Sequence, residues 1–127
     1  HMGSKLTTMT NPMRWTMEVL YQHELFFLDS RTSKDTVAES TALSLGVPVL
    51  RRHVFLDNLR SRAAIEKQFN IALKLAQGGR DVVIIGHPYP ETLAFLKMRL
   101  NQSIAPVTLI NISELMPVAA ATTAKAP

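Results

Sequence analysis

The chain has 127 residues, with 14 Lys and Arg against 10 Asp and Glu for a formal net charge of +4, and 46% of its positions are hydrophobic. That length suits one globular domain, and an apolar content near the globular average with only 19% charged residues excludes a mainly disordered chain. The longest purely aliphatic run, Val82-Val83-Ile84-Ile85, is far short of the roughly 20 residues of a membrane span, and the absence of cysteine excludes disulfides, cysteine catalysis and thiolate metal sites.

Asn11-Pro12 is a helix-start signal, and Met13, Met17, Leu20 and Tyr21 follow at helical spacing, so a helix is expected over about 12–23. Leu25-Phe26-Phe27-Leu28, ending at Asp29, has the continuous apolar pattern of a strand buried on both faces. Ser33 can cap a second helix with Val37, Ala38, Thr41 and Leu45 on its inner face, closed by Gly46. A second strand lies within Val49 to Leu56, where Arg51-Arg52-His53 interrupts the apolar run. Ser61 can cap a longer helix carrying Ile65, Phe69, Ala72, Leu73 and Ala76 on one stripe, stopped by Gly78-Gly79. Val82 to Ile85 reads as a strand broken by Gly86-His87-Pro88. Pro90 and Glu91 then open a helix expected to turn Leu93, Leu96 and Leu100 inward. A last strand is expected at Val107 to Ile110 and a helical turn at Ser113 to Met116. Residues 117–127 lack period and bulk, as a disordered tail does.

Strands alternating with helices at this spacing imply βαβ units and a parallel sheet, an α/β fold. Ligands of such folds sit beyond the carboxyl ends of the strands. The residues there are Asp29-Ser30-Arg31-Thr32, Asp57-Asn58, Gly86-His87-Pro88 and Asn111.

His87 follows an apolar strand, with Gly86 allowing close backbone approach and Pro88 fixing the exit. An imidazole held there could exchange a proton near neutral pH; the alternative is a loop histidine bonded to a backbone carbonyl. Asp29 could orient a histidine or bind a metal, and Arg31 could hold an anionic substrate group; equally, Asp29 can cap its own turn and Arg31 can pair with it. Asp-Asn pairs such as Asp57-Asn58 are ordinary turn formers. His23 ends a helix, where positive charge suits the dipole. His53 has no partner identifiable from sequence, and Met9, Met13 and Met17 at four-residue spacing read as core fillers.

The eight Arg and six Lys are scattered, with Arg51-Arg52, Arg60 and Arg62 the nearest approach to a patch. With only one Trp, two Tyr and five Phe to interleave, this argues against a nucleic-acid binder. The N-terminus lacks the basic-then-apolar pattern of a secretory signal, and His1-Met2-Gly3-Ser4 by itself looks like a tag scar.

Five motifs in order change that last reading. His1-Met2-Gly3-Ser4-Lys5-Leu6-Thr7, Pro12-Met13-Arg14-Trp15, Phe26 to Thr32, Arg51-Arg52 with Val54 to Asn58, and Gly86 to Thr92 resemble the divergent polysaccharide deacetylase family over residues 1–116. The resemblance implies that the His-Met-Gly-Ser motif is native and that the chain begins partway through a larger protein. It implies about half of an irregular (β/α) barrel, and metal-dependent removal of acetyl groups from a glycan. It makes His1 a metal ligand, the metal being divalent and by expectation zinc. His87 becomes the acid that protonates the leaving amine or alcohol. Asp29 and Arg31 join it as catalytic candidates, with Asp57 and Tyr89 as substrate-binding candidates.

A carboxylate neighbour, Asp29 or Asp57, would hold the His87 ring in place. The family's first half, absent here, carries further metal ligands and the base, so this chain alone is expected to be inactive. The other reading is a non-catalytic glycan-binding or cell-envelope protein that keeps the fold. Relatives carry export signals, which implies the bacterial periplasm or envelope. Half a barrel would leave sheet edges uncovered, which implies self-association.

Overall fold

A computed structural model describes residues 4–116, which fall into two compact units divided at Arg51 and Arg52, with Met116 joining the first. Each is built around a pair of short parallel strands with a crossover helix.

In the first unit, a 3₁₀ turn at Leu6–Thr8 leads into α1 (Thr10–Gln22). The helix starts earlier than the Asn-Pro signal suggests: Met9 is its N-cap and Pro12 lies inside the first turn, where its missing N–H costs nothing. After β1 (Phe27–Asp29) the chain passes through α2 (Ala38–Ser44) to β2 (Val49–Arg51), which pairs in parallel with β1 so that Phe27 faces Val49 and Asp29 faces Arg51. Ser33 does not cap α2. Its hydroxyl accepts from the Asp35 N–H at 3.2 Å in a tight turn, and Val37 occupies the N-cap. Gly46 ends α2 at φ +72°, a left-handed conformation that glycine adopts without a Cβ clash. Met13 and Met17 are buried with Ala38, Ala42, Val47 and Val49, whereas Tyr21 is exposed and so is Met9, which as the N-cap of α1 stands outside its buried stripe and is no core filler.

The second unit begins where Arg52-His53 divides the Val49–Leu56 run, so that run is two strands rather than one. β3 (Val54–Phe55) pairs in parallel with β4 (Ile84–Ile85) across α3 (Arg62–Gln77), and α4 (Pro90–Leu100) follows. His53 extends this pairing structurally: its N–H donates to the Val83 carbonyl at 2.8 Å and its Nδ1 accepts the Val83 N–H at 3.0 Å. Ser61 caps α3, accepting from the Ala64 N–H, and Pro90 takes the first position of α4. Ile65, Phe69, Leu56 and Phe95 make this unit's core.

Two expectations fail here. The buried face of α4 carries Thr92 and Phe95, with Leu96 packed against the core as expected, while Leu93 and Leu100 are exposed. A leucine count misses this because what lies opposite the first turn is a carboxylate that recruits Thr92. The Val107–Ile110 run forms no strand: it has no ladder partner among the described residues, and with Phe69, Leu73 and Val83 it lines an apolar cavity of about 280 Å³. A 3₁₀ turn at Ile112–Leu115 stands where the last helical turn is expected. The fold is thus mixed α/β with short parallel pairs and four α-helices among the described residues. No helix among them is long and apolar enough to cross a membrane.

Candidate functional site

Parallel pairing of β3 with β4 puts the residues just past both strand ends side by side. Leu56 continues the ladder, its N–H donating to the Ile85 carbonyl at 2.9 Å, so Asp57 and His87 emerge at the same edge. Asp57 is 3% exposed, and both its oxygens are used. Oδ2 accepts the backbone N–H of His87 at 2.6 Å and the Thr92 hydroxyl at 2.8 Å, while Oδ1 lies 3.0 Å from His87 Nδ1. Burial by itself would raise the Asp57 carboxyl. Hydrogen bonds from the His87 ring, Thr92 and the His87 backbone, with the attraction of the imidazole, more than offset this and hold it below its ordinary value.

Asp57 is therefore a carboxylate at neutral pH, which can only accept, so Nδ1 of His87 carries the hydrogen between them. Nε2 has no hydrogen-bond partner among the described residues, and the His87 side chain is 48% exposed. The pair can thus present an oriented Nε2 to an incoming group.

Gly86 makes this approach possible. A Cβ there would stand 3.2 Å from Asp57 Oδ2, 3.3 Å from Thr92 Cγ2 and 3.5 Å from Leu56 Cβ. The neighbour that Gly86 lets close is the carboxylate itself.

Aromatic rings flank the imidazole. Tyr89 stacks on His87 with centroids 4.8 Å apart and planes at 30°, and Phe55 lies 5.4 Å away at 55°. The Arg60 guanidinium covers the Tyr89 ring at 4.0 Å and reaches Glu91 Oε2 at 3.4 Å; the Arg52 guanidinium stands 5.3 Å from Phe55. Its own N–H at the start of α4 holds Glu91 below its ordinary value; burial opposes this, and the attraction and hydrogen bond of Arg60 add to the lowering.

The first unit holds Asp29 and Arg31. Asp29 is 1% exposed and also uses both oxygens: Oδ1 accepts the Arg31 N–H at 2.8 Å and Oδ2 accepts the Thr36 hydroxyl at 3.0 Å. This is the turn-capping alternative for Asp29. Arg31 sits at φ +48°, a strained conformation for a side-chain-bearing residue. Its guanidinium lies 4.0 Å from Glu39 Oε2, which Arg51 also reaches at 3.4 Å, so the side chain joins an ion-pair cluster on Glu39 while its backbone N–H meets Asp29. Asp29, Ser30 and Thr32 border, with Leu6 and Thr7, a hollow of about 330 Å³.

Of the two carboxylates that could hold His87, Asp57 does so. His1 lies outside the described residues. Among those residues no three His, Cys, Asp or Glu side chains come together, so the described residues by themselves do not make up a metal site. Thr36 stands in no motif and Thr92 only closes the 86–92 motif, so neither is marked by motif or period as the hydroxyl partner of a buried carboxylate. A signal for them exists: Phe27-Leu28-Asp29-Ser30 and Phe55-Leu56-Asp57-Asn58 repeat one pattern, each strand delivering a buried aspartate that needs donors from further along the chain.

Comparison with known proteins agrees with this architecture. The chain is 39% identical over 116 residues to the uncharacterized protein YibQ of Escherichia coli (strain K12), a match covering 91% of this chain and 36% of YibQ. It is 37% identical over 115 residues to an uncharacterized protein of Haemophilus influenzae, covering 91% of this chain and 41% of that protein. The crystal structure of uncharacterized protein ATU2773 from Agrobacterium tumefaciens C58 superimposes with a TM-score of 0.70 at 18% identity. It covers 77% of this chain and 40% of that one, a likeness of fold. The chain thus spans about two-fifths of the length of the proteins it matches. The family model for divergent polysaccharide deacetylases matches residues 1–116, and the chain belongs to that family.

Proposed function

We propose that this chain carries the proton-donating side of a metal-dependent deacetylase acting on an acetylated glycan, with His87 as the acid and Asp57 as the carboxylate that orients it. The observation that supports this reading is the pair of hydrogen bonds that the backbone N–H and Nδ1 of His87 make to the Asp57 carboxylate, which leaves Nε2 open. In the reaction, His87 carries a proton on each ring nitrogen. The Nε2 proton passes to the departing amine or alcohol as the acetyl carbon–heteroatom bond breaks, and the ring is left neutral, keeping the hydrogen on Nδ1 that it donates to Asp57. Because both Asp57 oxygens are taken, its part is positioning rather than direct contact with substrate. Tyr89, stacked on the acid, is the candidate substrate contact beside it. Asp29 holds the turn that contains Arg31.

The metal belongs to the proposal as well. A divalent ion, zinc by preference, would polarise the acetyl carbonyl and generate the attacking hydroxide. By the family resemblance His1 is this chain's candidate ligand, and the other ligands would come from elsewhere in the protein. The irregular (β/α) barrel, a periplasmic or envelope location and self-association through uncovered strand edges complete the proposal.

The test is acetate release from an N- or O-acetylated glycan, measured with this chain and with a version extended to its relatives' length and loaded with zinc. We expect no release from the 127-residue chain and turnover by the extended protein that falls at least ~100-fold on His87→Ala. Glycan binding by the extended protein that survives both His87→Ala and chelation, without any acetate release, would overturn the enzymatic reading in favour of a glycan-binding protein.

A further inference from the structure

The His87 ring is held in two different ways. Asp57 bonds its Nδ1 edge, which sets where that edge lies but leaves the ring able to tilt about the hydrogen bond, whose angular preference is broad. Tilt is restrained by the stack of Tyr89 on the imidazole face, with Phe55 on a slanted approach. The orientation of Nε2 therefore depends on where the Tyr89 ring sits.

Tyr89 is the N-cap of α4 and only half-buried, and its own backbone fixes just the start of the side chain. What covers its ring is the Arg60 guanidinium at 4.0 Å, and Arg60 is tied by Nη2 to Glu91 in the first turn of the same helix. A planar guanidinium stacks on an aromatic face as an ammonium does not. An exposed ion pair between Arg60 and Glu91 would by itself contribute little. Here it keeps the guanidinium over the ring, although the side chain itself is 54% exposed. Arg60 and Asp57 lie on the same segment after β3, so one loop supports the imidazole at its edge through Asp57 and at its face through Arg60.

We infer that Arg60 is a positioning residue for His87, acting through Tyr89 to fix the tilt of the imidazole and hence the aim of Nε2. This rests on the reading of His87 as the acid.

The ring itself supplies the test. In isotope-labelled 127-residue chain, the His87 Hδ2 and Hε1 resonances are read by ¹H–¹³C correlation and the tautomer by ¹⁵N shifts. Tyr89→Leu sets the full downfield displacement on loss of the stack. Arg60→Ala is expected to move both resonances in the same direction by a sizeable part of that displacement, with the Nδ1–H signature on Asp57 retained, and Arg60→Lys to restore only some of it. Should Arg60→Ala fail to fold, Glu91→Gln, which frees the guanidinium, is expected to give a smaller displacement of the same sign. Unmoved His87 resonances in Arg60→Ala, or in Glu91→Gln where that variant stands in, overturn the proposal. So does a change spread evenly over both units, which marks a general structural role. In the extended, zinc-loaded protein, Arg60→Ala is expected to lower kcat about tenfold with KM little changed. If even the parent protein releases no acetate, the proposed reaction falls while the ring resonances still decide the role of Arg60.

Discussion

Asp57 takes both the backbone N–H and the ring nitrogen of His87, at 2.6 and 3.0 Å, across 30 residues of sequence. One buried carboxylate thus ties the end of β3 to the loop after β4 and orients a half-exposed imidazole at the same time. The carboxylate that braces the fold here is therefore also the one that orients the imidazole.

Removing that carboxylate should be costly. Asp57→Ala leaves the His87 N–H and the Thr92 hydroxyl without their acceptor, and each orphaned group costs about 1–3 kcal/mol. We expect a loss of about 2–4 kcal/mol in urea unfolding. Thr92→Val, which removes one of the three bonds and keeps the volume, should cost about 1–2 kcal/mol. An Asp57→Ala midpoint equal to that of the parent chain would show that the clamp contributes nothing.

The same group predicts an acid dependence. Asp57 in the folded chain lies below its ordinary value of 3.8. Between the two values the unfolded chain binds more protons than the folded one, so stability rises with pH there. The contribution is complete above about 3.8 and lost as pH falls through the lower, folded value. Unfolding midpoints measured from about pH 5 downward should fall more steeply for the parent chain than for Asp57→Asn; parallel curves would contradict the assignment.

Gly86→Ala tests the close approach. Its methyl would press on Asp57 Oδ2, Thr92 Cγ2 and Leu56 Cβ, all held in the packed edge of the second unit. Overpacking of this kind costs about 1–3 kcal/mol. We expect that loss in thermal or urea unfolding together with a shifted His87 amide resonance, since the crowded oxygen is the one that accepts its N–H.

In the first unit, Asp29→Ala should destabilise by about 2–4 kcal/mol, because the Arg31 N–H and the Thr36 hydroxyl both lose their acceptor. Without that carboxylate the φ of +48° at Arg31 loses its brace, so proteolysis at the 29–36 loop should accelerate in the variant. An unchanged cleavage pattern would count against the carboxylate as the support of this turn.

How much of this protein is legible in its sequence depends on how local each feature is. Ser61 as a cap, Pro90 at a helix start and the glycine stops after α2 and α3 depend on backbone chemistry within a few residues, and all stand where the residues place them. The stripe of Ile65, Phe69 and Ala72 is legible for the same reason: helical period alone selects one face. The strand-end carboxylates Asp29 and Asp57 and the histidine after Gly86 are visible as exceptions to an apolar pattern.

The tertiary structure decides everything that depends on a partner distant in sequence. Arg52-His53 splits what looks like one strand, because His53 pairs with Val83, 30 residues on. The Val107–Ile110 run has a strand's composition but no ladder partner among the described residues, and a strand exists only where its backbone groups are paired. The inner face of α4 goes to Thr92 because a buried carboxylate requires donors more than another leucine requires burial. For the same reason the sequence alone names two aspartates for His87, and only parallel pairing of β3 with β4, which sets Asp57 beside the imidazole, chooses between them.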